Sequence, residues 1–169
     1  MGSADVLTVS DIGEAKLAAL LTRYGLCLRR VAAGARIPGS YWGDREAGVI
    51  GLDVLVRPDT PVHSALHETC HVICMDKPRR DSLVCDAGGD DLEEAAVCYL
   101  QILLADELSG VGRLRLMRDM DAWGYSFRLG STRAWFERDA DDARDWLVRE
   151  GLVRIAANAT QPTFALRSV

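Results

Sequence analysis

Apolar positions recur along the chain at two spacings, and the expected elements follow from them. Leu17, Leu20 and Leu21 stand three and four apart within residues 11–23, the spacing of one helical face, and Gly25 closes that stretch. Residues 26–31 read as a strand, 35–40 as a turn, and 41–57 as one or two further strands whose glycines allow bends. A sheet of about three strands is therefore expected ahead of residue 60. Next comes a helix opened by Thr60 as the capping residue and Pro61 at the first helical position. Val62, Leu66, Cys70 and Ile73 form its apolar stripe, and Pro78 suits a stop shortly after Met75. Residues 77–91 are polar and turn-rich, a surface connection into a strongly apolar helix over 92–107.

Residues 110–169 continue the helical pattern. A helix is expected over 114–123, and Ser131 or Thr132 caps another in which Phe136, Ala140, Ala143 and Leu147 fall on one face. Residues 146–154 followed by 162–167 have the outline of the end of a winged helix, one helix and then two strands. The fold class expected is α+β: a small, mainly antiparallel sheet packed on the helix that starts near 61, followed by a helical, winged-helix-like C-terminal lobe. One domain accounts for 1–169, with sheet and central helices in 1–109 and the lobe in 110–169.

Composition narrows the function classes. The chain is 49% apolar with a net charge of −5, which gives no electrostatic reason to expect nucleic acid or an anionic membrane. Asp139, Asp141, Asp142 and Asp145 load the would-be recognition helix with acid that phosphates would repel. No apolar run reaches the length of a membrane span, and residues 1–6 lack the basic start and apolar core of a signal peptide. Cys27, Cys70, Cys74, Cys85 and Cys98 are an odd set without a disulfide spacing, which fits reduced thiols in a cytoplasm.

The candidate chemistry lies on the helix from 61. His67-Glu68-Thr69-Cys70-His71 is an H-E-x-x-H pattern, and on a helix His67 and His71 share a face from which both reach one zinc ion. Glu68 sits beside that face, placed to take a proton from a water on the zinc without being a ligand. The third histidine, His63, stands about 12 Å from His71 along the axis, too far to share the ion, so it is expected at the helix start or cleft rim. A catalytic zinc needs a third protein ligand, and Glu93 and Glu94 open the next helix. Glu93 lines up with Val97, Leu100 and Leu104 and so points into the core, where an acid needs a partner. Glu94 lines up with Cys98 and Gln101. Glu93 is chosen, with Glu94 in reserve.

His67-Glu68-x-x-His71 followed by residues 93–104 resembles the ImmA/IrrE-type metallopeptidases, a gluzincin-like family in which HExxH precedes a helix of the form E-x-E-A-N/D-x-F-A-A-x-L-L. The resemblance covers residues 45–105. It implies that Glu93 is the third zinc ligand, and that a strand edge within 47–56 aligns an extended peptide along the cleft. Val97 departs from the family at the Asn/Asp position one turn beyond the ligand, so support for a ligating histidine must come from elsewhere. The function expected is a cytoplasmic zinc-dependent metallopeptidase acting on a peptide or protein substrate. The alternative is a DNA- or protein-binding regulator with a structural or vestigial zinc site.

Overall fold

A computed structural model describes residues 5–40, 44–84 and 86–169. Residues 1–4 and 41–43 and Cys85, which figure in the leader, strand and thiol expectations, lie outside the described residues. The fold is α+β. Helix α1 (Val9–Ile12) and helix α2 (Glu14–Arg23) open it, followed by strands β1 (Cys27–Arg30), β2 (Gly48–Ile50) and β3 (Asp53–Val56). Helices α3 (Val62–Cys74), α4 (Lys77–Asp81), α5 (Asp91–Ala105), α6 (Gly112–Trp123), α7 (Thr132–Arg138) and α8 (Asp141–Arg149) follow. Strands β4 (Val153–Ala156) and β5 (Ala159–Pro162) close it. Among the described residues no helix is long and apolar enough to cross a membrane.

The single N-terminal helix expected over 11–23 is two. Gly13 joins them at φ 91°, a conformation open to glycine, and Thr8 and Asp11 cap the first piece reciprocally. Leu17, Leu20 and Leu21 are buried as their spacing requires.

The three-stranded sheet has the order β1–β3–β2. β2 pairs antiparallel with β3, as β4 does with β5, but β1 runs parallel to β3 because the long 31–47 connection carries the chain back across the sheet. Val49, Val54 and Val56 are fully buried in the core shared with the helices. The expectation that 47–56 offers a free peptide-binding edge does not hold. β3 is the central strand, and the outer side of β2 is covered: Val49 N–H donates to Gly39 O at 3.1 Å and Gly51 N–H to Leu83 O at 3.0 Å. Gly48 makes this cover feasible, since a Cβ there would stand 2.1 Å from Pro38 O.

α3 is buried over nearly its whole length, with its stripe Val62, Leu66, Cys70 and Ile73 at zero exposure. Its start differs from expectation by one residue. Thr60 Oγ1 accepts from Arg57 N–H at 2.9 Å within the preceding turn, and the first free amide of the helix, Val62 N–H, is capped by Leu7 O at 2.8 Å. At the other end Arg80 donates to Val72 O and Met75 O, while Arg167 donates to Ile73 O through its amide and to Cys74 O through its guanidinium. Carbonyls that a helix end leaves orphaned are thus satisfied by two arginines. Pro78 opens α4 behind the Asp76 cap, so the connection holds a helical turn.

In the C-terminal lobe the stripe 136–147 is broken between α7 and α8, where Arg128 holds the Asp139 carboxylate at 2.8 Å. A helix and a two-stranded hairpin do end the lobe. The hairpin is 153–162, however, and residues 163–169 run back over the end of α3 as a strap. One continuous buried cluster joins both parts of the chain, with α5 packed against α3, α6 and α8.

Candidate metal centre

Helical periodicity places His67 and His71 one turn apart on α3, and the packing of α5 brings Glu94 against both. His67 Nε2 and His71 Nε2 are 3.1 Å apart, Glu94 Oε1 is 3.0 Å from His67 Nε2, and Glu94 Oε2 is 3.1 Å from His71 Nε2. Cys98 Sγ joins this group: a His67 nitrogen, a Glu94 oxygen and the sulfur lie within 4.8 Å of one another. The imidazoles are largely buried, whereas the Glu94 side chain is 50% exposed and forms the solvent side of the cluster.

Glu93 is not at the imidazoles, which corrects the choice made from its inward stripe. It does point inward, with its side chain 7% exposed, but its partner is a cation of the chain itself. Arg79 Nη2 donates to Glu93 Oε1 at 2.6 Å and Nη1 to Oε2 at 3.0 Å, with Arg167 Nη1 3.6 Å away behind them. A bidentate guanidinium pairs the buried charge and holds both oxygens of Glu93 on Arg79, so this carboxylate does not need a metal as its partner. Glu94, about 100° further round α5, is the acid that faces α3.

The tautomer of His67 follows from its neighbours. Gln101 Nε2 donates to His63 O at 3.1 Å, which leaves Gln101 Oε1 facing His67 Nδ1 at 2.7 Å. Nδ1 must therefore carry the proton, and Nε2 turns a lone pair toward His71 and Glu94. This is the support that Val97 does not supply, provided by a fully buried glutamine seven residues beyond Glu94. His71 has no such support: its Nδ1 is buried without a partner among the described residues.

The donor set fits a zinc ion. Imidazole and carboxylate atoms about 2.0–2.1 Å from zinc at tetrahedral angles stand about 3.3–3.4 Å apart. The imidazole–imidazole contact, at 3.1 Å, lies within a few tenths of an ångström of that spacing, and Glu94 turns one oxygen to each imidazole at 3.0–3.1 Å. Three Lewis bases this close need a proton or a cation between them. Where protons on the facing imidazole nitrogens fill that role, with His67 then protonated on both nitrogens, partial burial would raise the Glu94 carboxyl but hydrogen bonds donated by His67 and His71 hold it well below the ordinary carboxylate range.

Glu68 lies on the half-buried side of α3 beside His67, and neither of its oxygens accepts a hydrogen bond among the described residues. Burial, with Glu94 and Glu46 nearby, raises its pKa against the pull of His67 and His71. His63, expected at the helix start or cleft rim, is the second residue of α3 and is 1% exposed. Trp123 and Tyr125 cover it, with Tyr125 Oη 3.2 Å from its Nδ1, and burial drives its pKa down to about 3. Tyr125 also meets the His67 ring edge-on at 5.8 Å. Cys98 and Gln101 are the site residues that the sequence reading did not assign. Their signal was a polar line, Glu94, Cys98 and Gln101, along an otherwise apolar helix.

The fold class is α+β, and the site is a buried His/Glu/Cys group able to hold a metal ion. Comparison of the chain with family models, with curated proteins and with solved structures finds no match.

Proposed function

We propose that this chain is a zinc-dependent hydrolase of peptide bonds, with His67, His71 and Glu94 as the metal-holding residues and Glu68 as the general base. The observation that carries the reading is the convergence of two imidazoles and one carboxylate at 3.0–3.1 Å, with Glu68 next to His67 on the same helix. The resemblance of the HExxH helix and its successor to ImmA/IrrE-type metallopeptidases supports the peptide as substrate. When bound, zinc would supply the Lewis acidity that makes water a nucleophile at neutral pH and polarises the scissile carbonyl.

The remaining work falls to side chains of the chain. Gln101 fixes the His67 tautomer, so that Nε2 is a donor to metal without a proton having to leave. Glu68, a stronger base than a solvated carboxylate because of its burial, takes the proton from the attacking water and passes it to the leaving amine. Free thiols at Cys27, Cys70, Cys74 and Cys98 support a reducing compartment such as the cytoplasm. The acids of α8, with Asp141, Asp142 and Asp145 exposed, argue against the regulator reading on charge grounds.

The test is Glu68→Gln. Peptide hydrolysis by zinc-loaded protein is expected to fall about 10²–10⁴-fold, the usual contribution of a general base, with bound zinc unchanged. Zinc lost together with activity would make Glu68 a ligand. Activity retained would move the chemistry elsewhere.

A further inference from the structure

Cys98 is the donor that a three-ligand site does not use. It lies one turn beyond Glu94 on α5, buried at 5% exposure, with Sγ within 4.8 Å of a His67 nitrogen and a Glu94 oxygen. Two donor sets therefore overlap: His67, His71 and Glu94 on one side, and His67, Glu94 and Cys98 on the other, sharing a histidine and a glutamate. Sulfur and nitrogen ligands of one tetrahedral zinc stand about 3.6 Å apart, so a displacement on the order of 1 Å would bring the thiolate into contact.

We propose that Cys98 is a thiolate donor to the metal held by His67 and Glu94. This inference rests on the metal-centre reading above and goes beyond it in giving the site two forms. With Cys98 engaged, the metal has four protein donors, a closed set of the kind that holds structural zinc. With Cys98 withdrawn, three donors remain and one position is open, as in catalytic sites. The thiolate also makes the site softer, favouring zinc over magnesium or manganese. Hydrolysis by the wild-type protein would then be limited by the fraction of sites in which sulfur is off the metal.

The experiment is titration of metal-free full-length protein with cobalt(II), followed by absorption. A thiolate on cobalt produces a near-ultraviolet sulfur-to-metal charge-transfer band that nitrogen and oxygen ligands do not. Wild-type protein is expected to show the band at one cobalt per chain. Cys98→Ser and Cys98→Ala are each expected to bind cobalt through His67, His71 and Glu94 with the band lost. His71→Ala is expected to keep the band, because His67, Glu94 and Cys98 remain. Cobalt bound by wild type without the band overturns this inference and leaves the three-ligand reading standing. A band that survives in Cys98→Ser and Cys98→Ala overturns it too, by placing the thiolate elsewhere. Wild-type protein that binds neither cobalt nor zinc removes the metal-centre reading, and this one with it.

Discussion

Glu93 and Glu94 are consecutive residues at the start of one helix, yet they belong to different parts of the molecule. The Glu93 side chain is 7% exposed and clasped by Arg79, with Arg167 behind it. The Glu94 side chain is 50% exposed and lies against two imidazoles. The first environment ties α4, α5 and the C-terminal strap together, because Arg167 also donates to Glu150 and to the end of α3. The second opens to solvent. A carboxylate in the core is held by whatever cation the fold supplies, and a guanidinium with two parallel hydrogen bonds leaves little over. A half-exposed carboxylate keeps the freedom to meet a ligand. The depth at which an acid is buried therefore says that it needs a partner and not which partner it has.

The strongest test of this contrast is Glu94→Ala. It removes one of three donors, so zinc affinity is expected to fall by more than the roughly 10–100-fold that loss of an outer support residue costs, with stability of the metal-free protein nearly unchanged. Equilibrium dialysis against zinc measures the first and urea unfolding with chelator the second. Next in size is Glu93→Ala, which leaves Arg79 and Arg167 facing an empty position. Loss of about 3 kcal/mol is expected in urea unfolding, the low end for breaking a buried pair because Arg79 is itself 31% exposed, with zinc affinity retained. The opposite pair of results would return the third ligand to Glu93.

The smallest effect compares His63 with the two histidines that follow it. Its folded pKa, about 3, lies below the value of about 6.5 in an unfolded chain, so the unfolded chain binds the extra proton as pH falls. Stability carries no His63 penalty above pH 7 and is lost progressively as pH drops below 6.5. Between pH 7 and pH 5 this amounts to about 2 kcal/mol. His63→Asn, which can keep a hydrogen bond to Tyr125, is expected to flatten that part of the pH profile in chelated protein. An unchanged slope would mean that His63 is not buried neutral.

Local pattern carried most of the elements and half of the site. The leucine spacing of α2, the apolar stripe of α3 and the buried run of α5 follow from helical periodicity and burial alone. Where connections were tight the reading slipped. Gly13 split a helix, the caps of α3 came from Leu7, from Arg80 just beyond its end and from Arg167 far along the chain, and the outer edge of β2 was covered by residues 39 and 83. The Gly13 break and the Arg80 cap are local, whereas Leu7, Arg167 and residue 83 reach their partners from segments distant in sequence.

By itself the sequence determined that His67 and His71 share a face with Glu68 beside it, because the 3.6-residue repeat acts within one helix and needs no other. It also determined that Glu93 would point inward. Only the tertiary structure decided which acid meets the histidines, because that depends on how α5 is rotated against α3. The rotation places Glu93 on Arg79, Glu94 on the imidazoles, and Gln101 between His63 and His67. Those contacts join residues 14 to 38 positions apart, and no periodicity within a single helix contains them.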